Sequence, residues 1–302
     1  MASALDPEVT STTCRLNNGI NMPSVGLGTY RVRSPAVIMK MVDEALAAGY
    51  RLFDTAAVYH NEGHLQKAFQ TLLPKYGLDR DEIFITTKIS PADHGGPDAV
   101  KKAYNQSLHN LGLDFADLYL IHFPKSPKYS NDDKRNTEFR HMTWAGLVEL
   151  YDNGLVNSIG VSNFTVHHLK ELMKTNHRVV PAVNQVEWHP FYYQTELLEF
   201  CKENDIVLQA YCSLGGTSVN SDTLLKHPCV TKIAQKLEVS NAQVLLAWAL
   251  QQDIAVIPKS TTPEHIRQNI ALNFTIANED MLILNDLGSQ KIKYAWDPTG
   301  VV

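Results

Sequence analysis

Eight short apolar runs, each separated from the next by a helical pattern, constrain the fold of this 302-residue chain more than any other feature. Apolar strands that alternate with amphipathic helices are typical of a parallel sheet buried on both faces. Eight such units are the number that closes an (α/β)8 TIM barrel, so we expect one barrel domain over residues 1–302. The runs lie at 24–28, 51–55, 83–88, 118–123, 158–162, 182–187, 206–211 and 254–259.

A doubly wound nucleotide-binding sheet is the alternative for a chain that alternates strands and helices. That fold usually carries the fingerprint Gly-x-Gly-x-x-Gly after its first strand. The corresponding stretch here, GLGTYR at 26–31, supplies Gly26 and Gly28 but lacks the third glycine. We therefore interpret it as the tight exit of a barrel strand.

The segments around the strands predict a hairpin, helices and two long loops. CRL and INM flank the turn sequence NNG at 17–19, which is typical of a β-hairpin. The segment at 97–112 begins with Pro and ends with Gly, the usual punctuation of a helix. Polar stretches at 124–139 and 213–228 follow the fourth and seventh strands. We expect both to be long loops at the carboxyl rim of the barrel, and such loops are usually functional or disordered.

Composition and charge argue against several classes of function. A net charge of −5 without a basic cluster gives no reason to expect a nucleic-acid partner or an anionic membrane surface. No apolar run reaches the ~20 residues of a membrane span. His60, Glu62 and His64 do not form a convincing zinc motif, so we expect no metal. Scattered cysteines without a C-x-x-C motif, and an N-terminus without a signal pattern, favour a cytoplasmic protein.

Polar side chains with reactive groups stand at the ends of these apolar runs. The carboxyl ends of barrel strands meet at one rim, where barrel enzymes carry out their chemistry. Each residue alone could be a helix cap, a solvated strand exit or a satisfied core residue, but their joint placement is hard to explain by packing. They are Asp54 with Tyr59 in the following loop, Lys88, His122, Ser162, Asn163, Gln185, Tyr211, Lys259 and Ser260.

Four of these residues could act together in the reduction of a carbonyl group. Tyr59 could protonate the carbonyl oxygen if its pKa, normally ~10, were brought closer to neutrality. We expect the Lys88 cation to lower that pKa, and Asp54 to hold Lys88 charged and in place. His122 could donate a hydrogen bond to the substrate oxygen. None of the four supplies a hydride, so a cofactor is implied.

A Schiff-base enzyme is a second reaction class for a barrel with lysines at its rim. Either Lys88 or Lys259 could attack a carbonyl carbon as an amine nucleophile. That chemistry would leave Tyr211 and Gln185 without a role. Borohydride trapping of a lysine adduct would separate the two classes.

Six motifs spread over the chain carry a resemblance to a known family. The chain resembles the aldo-keto reductase superfamily, and the motifs occur in the order of that family. The resemblance implies a barrel whose bottom is closed by the N-terminal hairpin, NADPH bound across the carboxyl rim, and reduction of aldehydes and ketones to alcohols. The motifs are FDTAAVYHNE (53–62), TTK (86–88), DLYLIHFP (117–124), IGVSNF (159–164), NQVEWHP (184–190) and VIPKSTTPEHIRQN (256–269).

The resemblance also implies a role for individual residues. The catalytic tetrad would be Asp54, Tyr59, Lys88 and His122, and the substrate pocket would be lined by Tyr30, Tyr59, His122, Phe123 and Trp188. Asp54 would also lie at the cofactor. The remaining NADPH contacts implied are Gly28, Thr29 and Tyr30, the nicotinamide ligands Ser162, Asn163 and Gln185, the stacking ring of Tyr211, the pyrophosphate contacts Ser213 and Leu214, the 2′-phosphate site at Lys259, Ser260 and Thr261, His265, and the adenine contact Asn269.

Three positions depart from the familiar pattern of the family. His265 stands where many relatives place an arginine on the 2′-phosphate, so we expect NADPH preference but a softer one. Ser90 replaces a bulky tryptophan, which predicts a wider pocket mouth. The sequence GGTSVNS at 215–221 lacks an acidic latch, which predicts faster cofactor release. We expect a monomer acting on small carbonyl substrates, with a nicotinamide-binding protein of little turnover as the alternative.

Overall fold

The computed structural model describes residues 12–175, 178–216 and 222–302. Within these ranges a two-stranded antiparallel hairpin precedes an eight-stranded parallel sheet, whose strand order follows the chain. All eight expected barrel strands are confirmed. The strands are β1 (Thr13–Arg15), β2 (Asn21–Pro23), β3 (Leu27–Gly28), β4 (Leu52–Asp54), β5 (Phe84–Ile89), β6 (Ala116–Ile121), β7 (Val156–Ser162), β8 (Val183–Glu187), β9 (Val207–Tyr211) and β10 (Ala255–Val256).

Backbone hydrogen bonds between the first and last strand regions close the sheet into a barrel. Gly26 N donates to Val256 O at 2.8 Å, and Val256 N donates to Ser24 O at 2.8 Å. Two residues further along the strand, Gly28 N donates to Pro258 O at 3.1 Å. Backbone N–H and C=O groups at the two edges of the sheet thus pair with each other, as a closed barrel requires.

Gly26 and Gly28 are required by the close approach of chains at this seam. A Cβ atom on Gly26 would lie 2.0 Å from Cδ2 of Leu52 inside the barrel. One on Gly28 would lie 2.7 Å from the carbonyl oxygen of Ile257. The Gly-x-Gly pair therefore belongs to the barrel wall, in agreement with its interpretation as a strand exit.

The N-terminal hairpin covers the amino ends of the barrel strands. Leu16 and Met22 are fully buried and belong to the same apolar cluster as Leu52. Leu52 is the first residue of β4. Asn18 Nδ2 donates to Asn157 O at 2.9 Å, near the beginning of β7. The hairpin therefore closes the bottom of the barrel, opposite the rim where the strands end.

Helices cover the outside of the barrel. Proline occupies the first turn of several of them, where its missing N–H costs no hydrogen bond. Gly112 follows the third helix at φ 63°, so the Pro and Gly punctuation is confirmed there. The helices are α1 (Pro35–Ala47), α2 (Glu62–Lys75), α3 (Pro97–Leu111), α4 (Arg135–Asp152), α5 (Val166–Met173), α6 (Thr195–Glu203), α7 (Pro228–Leu237), α8 (Asn241–Leu250), α9 (Pro263–Ile270) and α10 (Asn278–Asp286).

The long loop expected at 124–139 is shorter than its composition indicates. Helix α4 begins at Arg135, four residues before the expected loop end. Its first turns bury the polar side chains of Asn136 and Arg140, so the apolar periodicity that marks a helix is missing there. Of the second expected loop, residues 217–221 lie outside the described residues. In the described part of the chain, no helix combines the length and the hydropathy that crossing a bilayer would take.

Candidate active site

Asp54 and Lys88 form a buried ion pair at the carboxyl ends of two neighbouring strands. Lys88 Nζ lies 2.7 Å from both carboxylate oxygens of Asp54 and 2.8 Å from the carbonyl oxygen of Thr55. Asp54 pairs with Thr86 across the parallel ladder, and Lys88 is two residues further on the same face of β5. The side chains of Lys88 and Asp54 are 0% and 3% exposed. Strand register therefore brings together the pair that the sequence predicts.

The electrostatics of this pair depend on its burial. Burial lowers the pKa of the Lys88 ammonium, and the attraction of the Asp54 carboxylate opposes that effect. Gln185 Nε2 donates a further hydrogen bond to Asp54 Oδ2 at 2.8 Å. Removing one partner of such a pair would leave an uncompensated buried charge.

Tyr59 lies in a single 3-10 turn, Ala57–Tyr59, just after β4. Its ring centroid is 5.1 Å from Lys88 Nζ. Burial, and then the charge of the Asp54 carboxylate, raise the pKa of Tyr59 well above its ordinary value. The expectation that the Lys88 cation brings this pKa toward neutrality is wrong for this structure, because burial and the Asp54 carboxylate outweigh its effect. Tyr59 is therefore a protonated phenol at neutral pH.

His122 follows β6 and is nearly buried. Its ring centroid lies 5.6 Å from that of Tyr59. Burial, followed by the positive charge of Lys88, lowers the pKa of His122 well below its ordinary value. Its Nδ1 atom is buried and has no hydrogen-bond partner in the described part of the chain. His122 is thus a neutral imidazole, which can donate one ring N–H.

Aromatic rings surround the phenol and the imidazole. Tyr30 lies 5.1 Å from Tyr59, between ring centroids, and is 42% exposed. Trp296 lies 5.4 Å from His122 and 5.5 Å from Phe123. Four of the expected pocket residues, Tyr30, Tyr59, His122 and Phe123, therefore lie together, and Trp296 joins them. Sequence reasoning missed Trp296, although a tryptophan in an extended polar tail is a signal for it.

Trp188 is the one expected pocket residue that the structure places elsewhere. Its side chain is fully buried and stacks on Trp248 of α8, with centroids 6.4 Å apart. It therefore packs against the helical layer outside the barrel. Ser90 is half-buried, and its Oγ accepts a hydrogen bond from Ala92 N at 3.1 Å and caps a short 3-10 turn.

The expected nicotinamide ligands form one hydrogen-bonded group at the ends of β7, β8 and β9. Tyr211 OH donates to Asn163 Oδ1 at 2.5 Å, and Asn163 Nδ2 donates to His122 O at 2.9 Å. Ser162 Oγ donates to Gln185 O at 2.8 Å. Asn163 adopts φ 65°, a strained value that turns its side chain into this network. The polar groups and the half-buried ring of Tyr211 thus stand beside His122.

The other expected cofactor residues extend from this group along the rim. Ser213 is buried and Leu214 half-buried, directly after Tyr211. Lys259, Thr261 and His265 are exposed, whereas Ser260 Oγ caps the next turn through Thr262 N at 3.1 Å. Gly28 and Thr29 make hydrogen bonds to neighbouring parts of the barrel, and Asn61 before α2 also donates to Thr29 O at 3.0 Å. Thr29 Oγ1 donates to Asp54 O at 2.9 Å, and Gly28 N bonds across the seam.

Two observations test whether this rim suits a dinucleotide carrying a 2′-phosphate. Asn269 is buried, yet its Oδ1 atom lacks a hydrogen-bond partner within residues 12–175, 178–216 and 222–302. Such an orphaned acceptor suits an amino donor like that of adenine. Arg267 instead pairs with Glu44 at 2.6 Å and with Glu264 at 3.1 Å, which leaves Lys259 and His265 as the candidates to contact the phosphate. The residues present fit the group.

Glu187, the last residue of β8, is a buried carboxylate that sequence reasoning also missed. It accepts hydrogen bonds from His189 Nε2, Lys293 Nζ, and the backbone N–H groups of Tyr294 and Ala295. The signal was present in the sequence, because Glu187 is the last residue of the sixth apolar run. Among the described residues, no cluster of three or more His, Cys, Asp or Glu side chains could hold a metal ion.

Comparison with known proteins agrees with this geometry. The model of the Aldo/keto reductase family matches residues 24–288. Uncharacterized oxidoreductase YtbE of Bacillus subtilis is 37% identical over 284 residues, covering 94% of this chain and 95% of that protein. Glyoxal reductase of Bacillus subtilis is 39% identical, with 91% and 92% covered. Glycerol 2-dehydrogenase (NADP(+)) of Saccharomyces cerevisiae is 37% identical, with 91% and 90% covered.

Solved structures agree as well. An aldo-keto reductase enzyme from a Medee basin deep-sea metagenome library matches with a TM-score of 0.85 at 37% identity, covering 96% of this chain and 100% of that one. The aldose reductase of Schistosoma japonicum matches with a TM-score of 0.83 at 33% identity, with 94% of each chain covered. Since the family model spans most of the sequence and these relatives align nearly end to end, the chain belongs to the aldo/keto reductase family.

Proposed function

We propose that this protein reduces aldehydes and ketones to alcohols with NADPH, and that Tyr59 donates the proton. The observation that carries the proposal is the placement of the Tyr59 ring, whose centroid lies 5.6 Å from that of the buried His122 and 5.1 Å from Nζ of Lys88 in the buried Lys88–Asp54 pair. Family membership supports carbonyl reduction in general. The names of the glyoxal reductase and of the NADP(+)-linked glycerol 2-dehydrogenase support the substrate class and the cofactor.

Tyr59 can act as the acid without a lowered pKa. When bound, NADPH would supply the hydride for the carbonyl carbon. The carbonyl oxygen then becomes as basic as an alkoxide, which is a stronger base than a phenolate, so proton transfer from Tyr59 runs downhill. The Lys88 ammonium, 5.1 Å from the phenol ring, stabilises the negative charge that remains. His122 donates a ring N–H to the same oxygen and orients it.

Residues along the rim are assigned to the cofactor in the same proposal. Ser162, Asn163 and Gln185 would hold the carboxamide of the nicotinamide, and the ring of Tyr211 would stack on it. The 2′-phosphate would meet Lys259, Ser260 and Thr261 together with His265, and Asn269 would face the adenine. We expect a higher kcat/KM with NADPH than with NADH, and a higher kcat/KM with NADH would contradict this assignment.

Steady-state turnover tests the proposal. Purified protein is incubated with NADPH and a panel of aldehydes, dicarbonyls and ketones, and the loss of NADPH absorbance is followed. We expect carbonyl-dependent oxidation of NADPH and formation of the matching alcohol. Tight NADPH binding without turnover on any carbonyl would favour the nicotinamide-binding alternative instead.

The Schiff-base alternative has less support from the geometry. The Lys88 ammonium is fully buried and bound to Asp54 and Thr55 through its three hydrogens. An amine nucleophile must be neutral and reach the substrate carbon. We therefore expect borohydride to trap no adduct at Lys88. We also propose a monomeric enzyme, because each tetrad residue comes from the same chain.

A further inference from the structure

The buried carboxylate of Glu187 joins the barrel to the C-terminal end of the chain. Its side chain is 1% exposed and ends β8 at the rim. The two oxygens accept hydrogen bonds from His189 on one side, and from Lys293, Tyr294 N and Ala295 N on the other. Three of the four donors thus come from consecutive residues far along the chain.

This carboxylate is ionised and fully satisfied. Burial alone would raise the pKa of Glu187, but hydrogen bonds from His189 and Lys293, the charge of Lys293 and the Tyr294 N–H bring it down to about 2. A buried charge is tolerated when its lone pairs are all used. The fixed backbone donors define where the segment after Lys293 must lie.

Residues 293–302 form a segment, here called the C-terminal strap, that is held at both ends. At its far end Val301 is buried, and its carbonyl oxygen lies 2.9 Å from His168 Nε2. Val302 N donates to Asn131 O at 3.0 Å, and Arg140 donates to Val302 O at 2.7 Å. The strap therefore crosses the rim between β8 and the loop that follows β6.

Trp296 follows directly after the Glu187 anchor. Its ring contacts His122 and Phe123, and it is 48% exposed. Two residues earlier, Tyr294 packs against Gly216, where an added Cβ would lie 2.8 Å from Tyr294 Cβ. Trp296 belongs to no helix or strand, so its position beside the imidazole is set by the strap.

We propose that Glu187 is a positioning residue, which holds the C-terminal strap so that Trp296 forms one wall of the carbonyl pocket. Trp296 then determines affinity for aromatic carbonyl substrates, whose rings can pack against the indole. The smallest aldehydes do not reach it. This inference rests on the proposed function of the same site, but the position of Trp296 can be tested without turnover.

Fluorescence quenching gives that independent test. The sequence has four tryptophans, of which Trp144, Trp188 and Trp248 are at most 1% exposed and Trp296 is 48% exposed. Acrylamide therefore reports mainly on Trp296. In Glu187→Gln we expect the quenching constant to rise by up to about twofold, since the 48% exposed ring becomes free. Lys293→Met removes one donor and should raise it less.

Kinetics then test the consequence for the substrate. We expect Glu187→Gln to raise KM for an aromatic aldehyde by about threefold to tenfold, the value of one lost aromatic contact, while kcat and the KM for a two- or three-carbon aldehyde stay unchanged. Trp296→Ala should give the same increase. In the Trp296→Ala background, Glu187→Gln should add nothing further, because both act through the same ring.

Asp117 provides a matched control at the bottom of the barrel. It is a half-buried carboxylate that pairs with Arg80 at 2.6 Å and accepts Ile85 N at 2.8 Å. Asp117→Asn should lower stability without changing quenching or the KM ratio. Unchanged quenching in both Glu187→Gln and Lys293→Met would overturn the positioning role, and so would equal KM changes for large and small aldehydes. If the wild type turns over no carbonyl, the proposed function fails, and quenching alone decides.

Discussion

Tyr59 and His122 owe their protonation states to burial more than to each other. The phenol keeps its proton because burial and the Asp54 carboxylate disfavour the phenolate. The imidazole stays neutral because burial and the Lys88 cation disfavour a second positive charge. A strongly basic product oxygen makes a high phenol pKa compatible with proton donation. The sequence predicts which residues meet, but not the sign of the Tyr59 shift, since that depends on solvent exclusion.

The pH dependence of the reaction follows from these two groups. Tyr59 is protonated below its raised pKa, and His122 is neutral above its lowered pKa. Neither group titrates between about pH 6.5 and 10, the ordinary values of the two side chains. We expect kcat/KM for a non-ionisable aldehyde to be constant from pH 7 to pH 9, by steady-state kinetics in constant ionic strength. An inflection in that window that disappears in Tyr59→Phe would contradict the assignment.

At the scale of the element, side chains at the ends of neighbouring strands meet as the sequence predicts. Asp54 and Lys88 meet because β4 and β5 are parallel neighbours in register. Ser162 and Gln185 meet for the same reason across β7 and β8. The start of α4 is not predictable in this way, because Arg140 is buried by partners that include Val302, far away in sequence.

The seam between β3 and β10 gives a prediction about the element that closes the barrel. Gly26→Ala would place a methyl group 2.0 Å from Leu52 Cδ2, so the buried Leu52 side chain must move. We expect a loss of about 1–3 kcal/mol in the free energy of unfolding, measured with urea. Gly63→Ala is the matched control, because its Cβ would meet only Asn110 O at 3.8 Å in helix α2. The control should be neutral or more stable; equal losses in both variants would contradict the close approach.

At the scale of the whole molecule, the barrel is predictable and the strap is not. Eight apolar runs and their punctuation fix strand order, closure and the identity of the rim, because these depend on local pattern. The placement of Trp296 depends on Glu187 and Arg140, whose partners are more than a hundred residues away. The sequence also does not show that Trp188 lies outside the pocket, because an aromatic residue near a strand end can face either the helices or the rim.

Three buried histidines predict how the stability of the whole molecule depends on pH. Burial lowers the pKa of His94 to about 3 and that of His168 to about 4, and the pKa of His122 is lowered as well. The unfolded chain binds protons near pH ~6.5, where the folded protein does not. The contribution of these histidines to the free energy of unfolding is therefore fully present above about pH 6.5. Below that pH the free energy of unfolding falls, by up to about 1.4 kcal/mol per pH unit for each histidine.

Urea unfolding at pH 8 and at pH 5.5 measures this dependence. We expect a lower free energy of unfolding at pH 5.5, and a smaller difference in His94→Phe, which removes one titrating group. A free energy of unfolding that is equal at both pH values would show that these histidines are not buried and neutral.

The most direct test of the central claim is the turnover of Tyr59→Phe. The substitution removes the phenolic oxygen and leaves the ring that contacts Tyr30 and His122. We predict that single-turnover reduction of an aldehyde slows by about 100-fold to 10,000-fold, while the Kd for NADPH is unchanged. A Tyr59→Phe enzyme that reduces the aldehyde at the rate of the wild type would show that Tyr59 is not the proton donor.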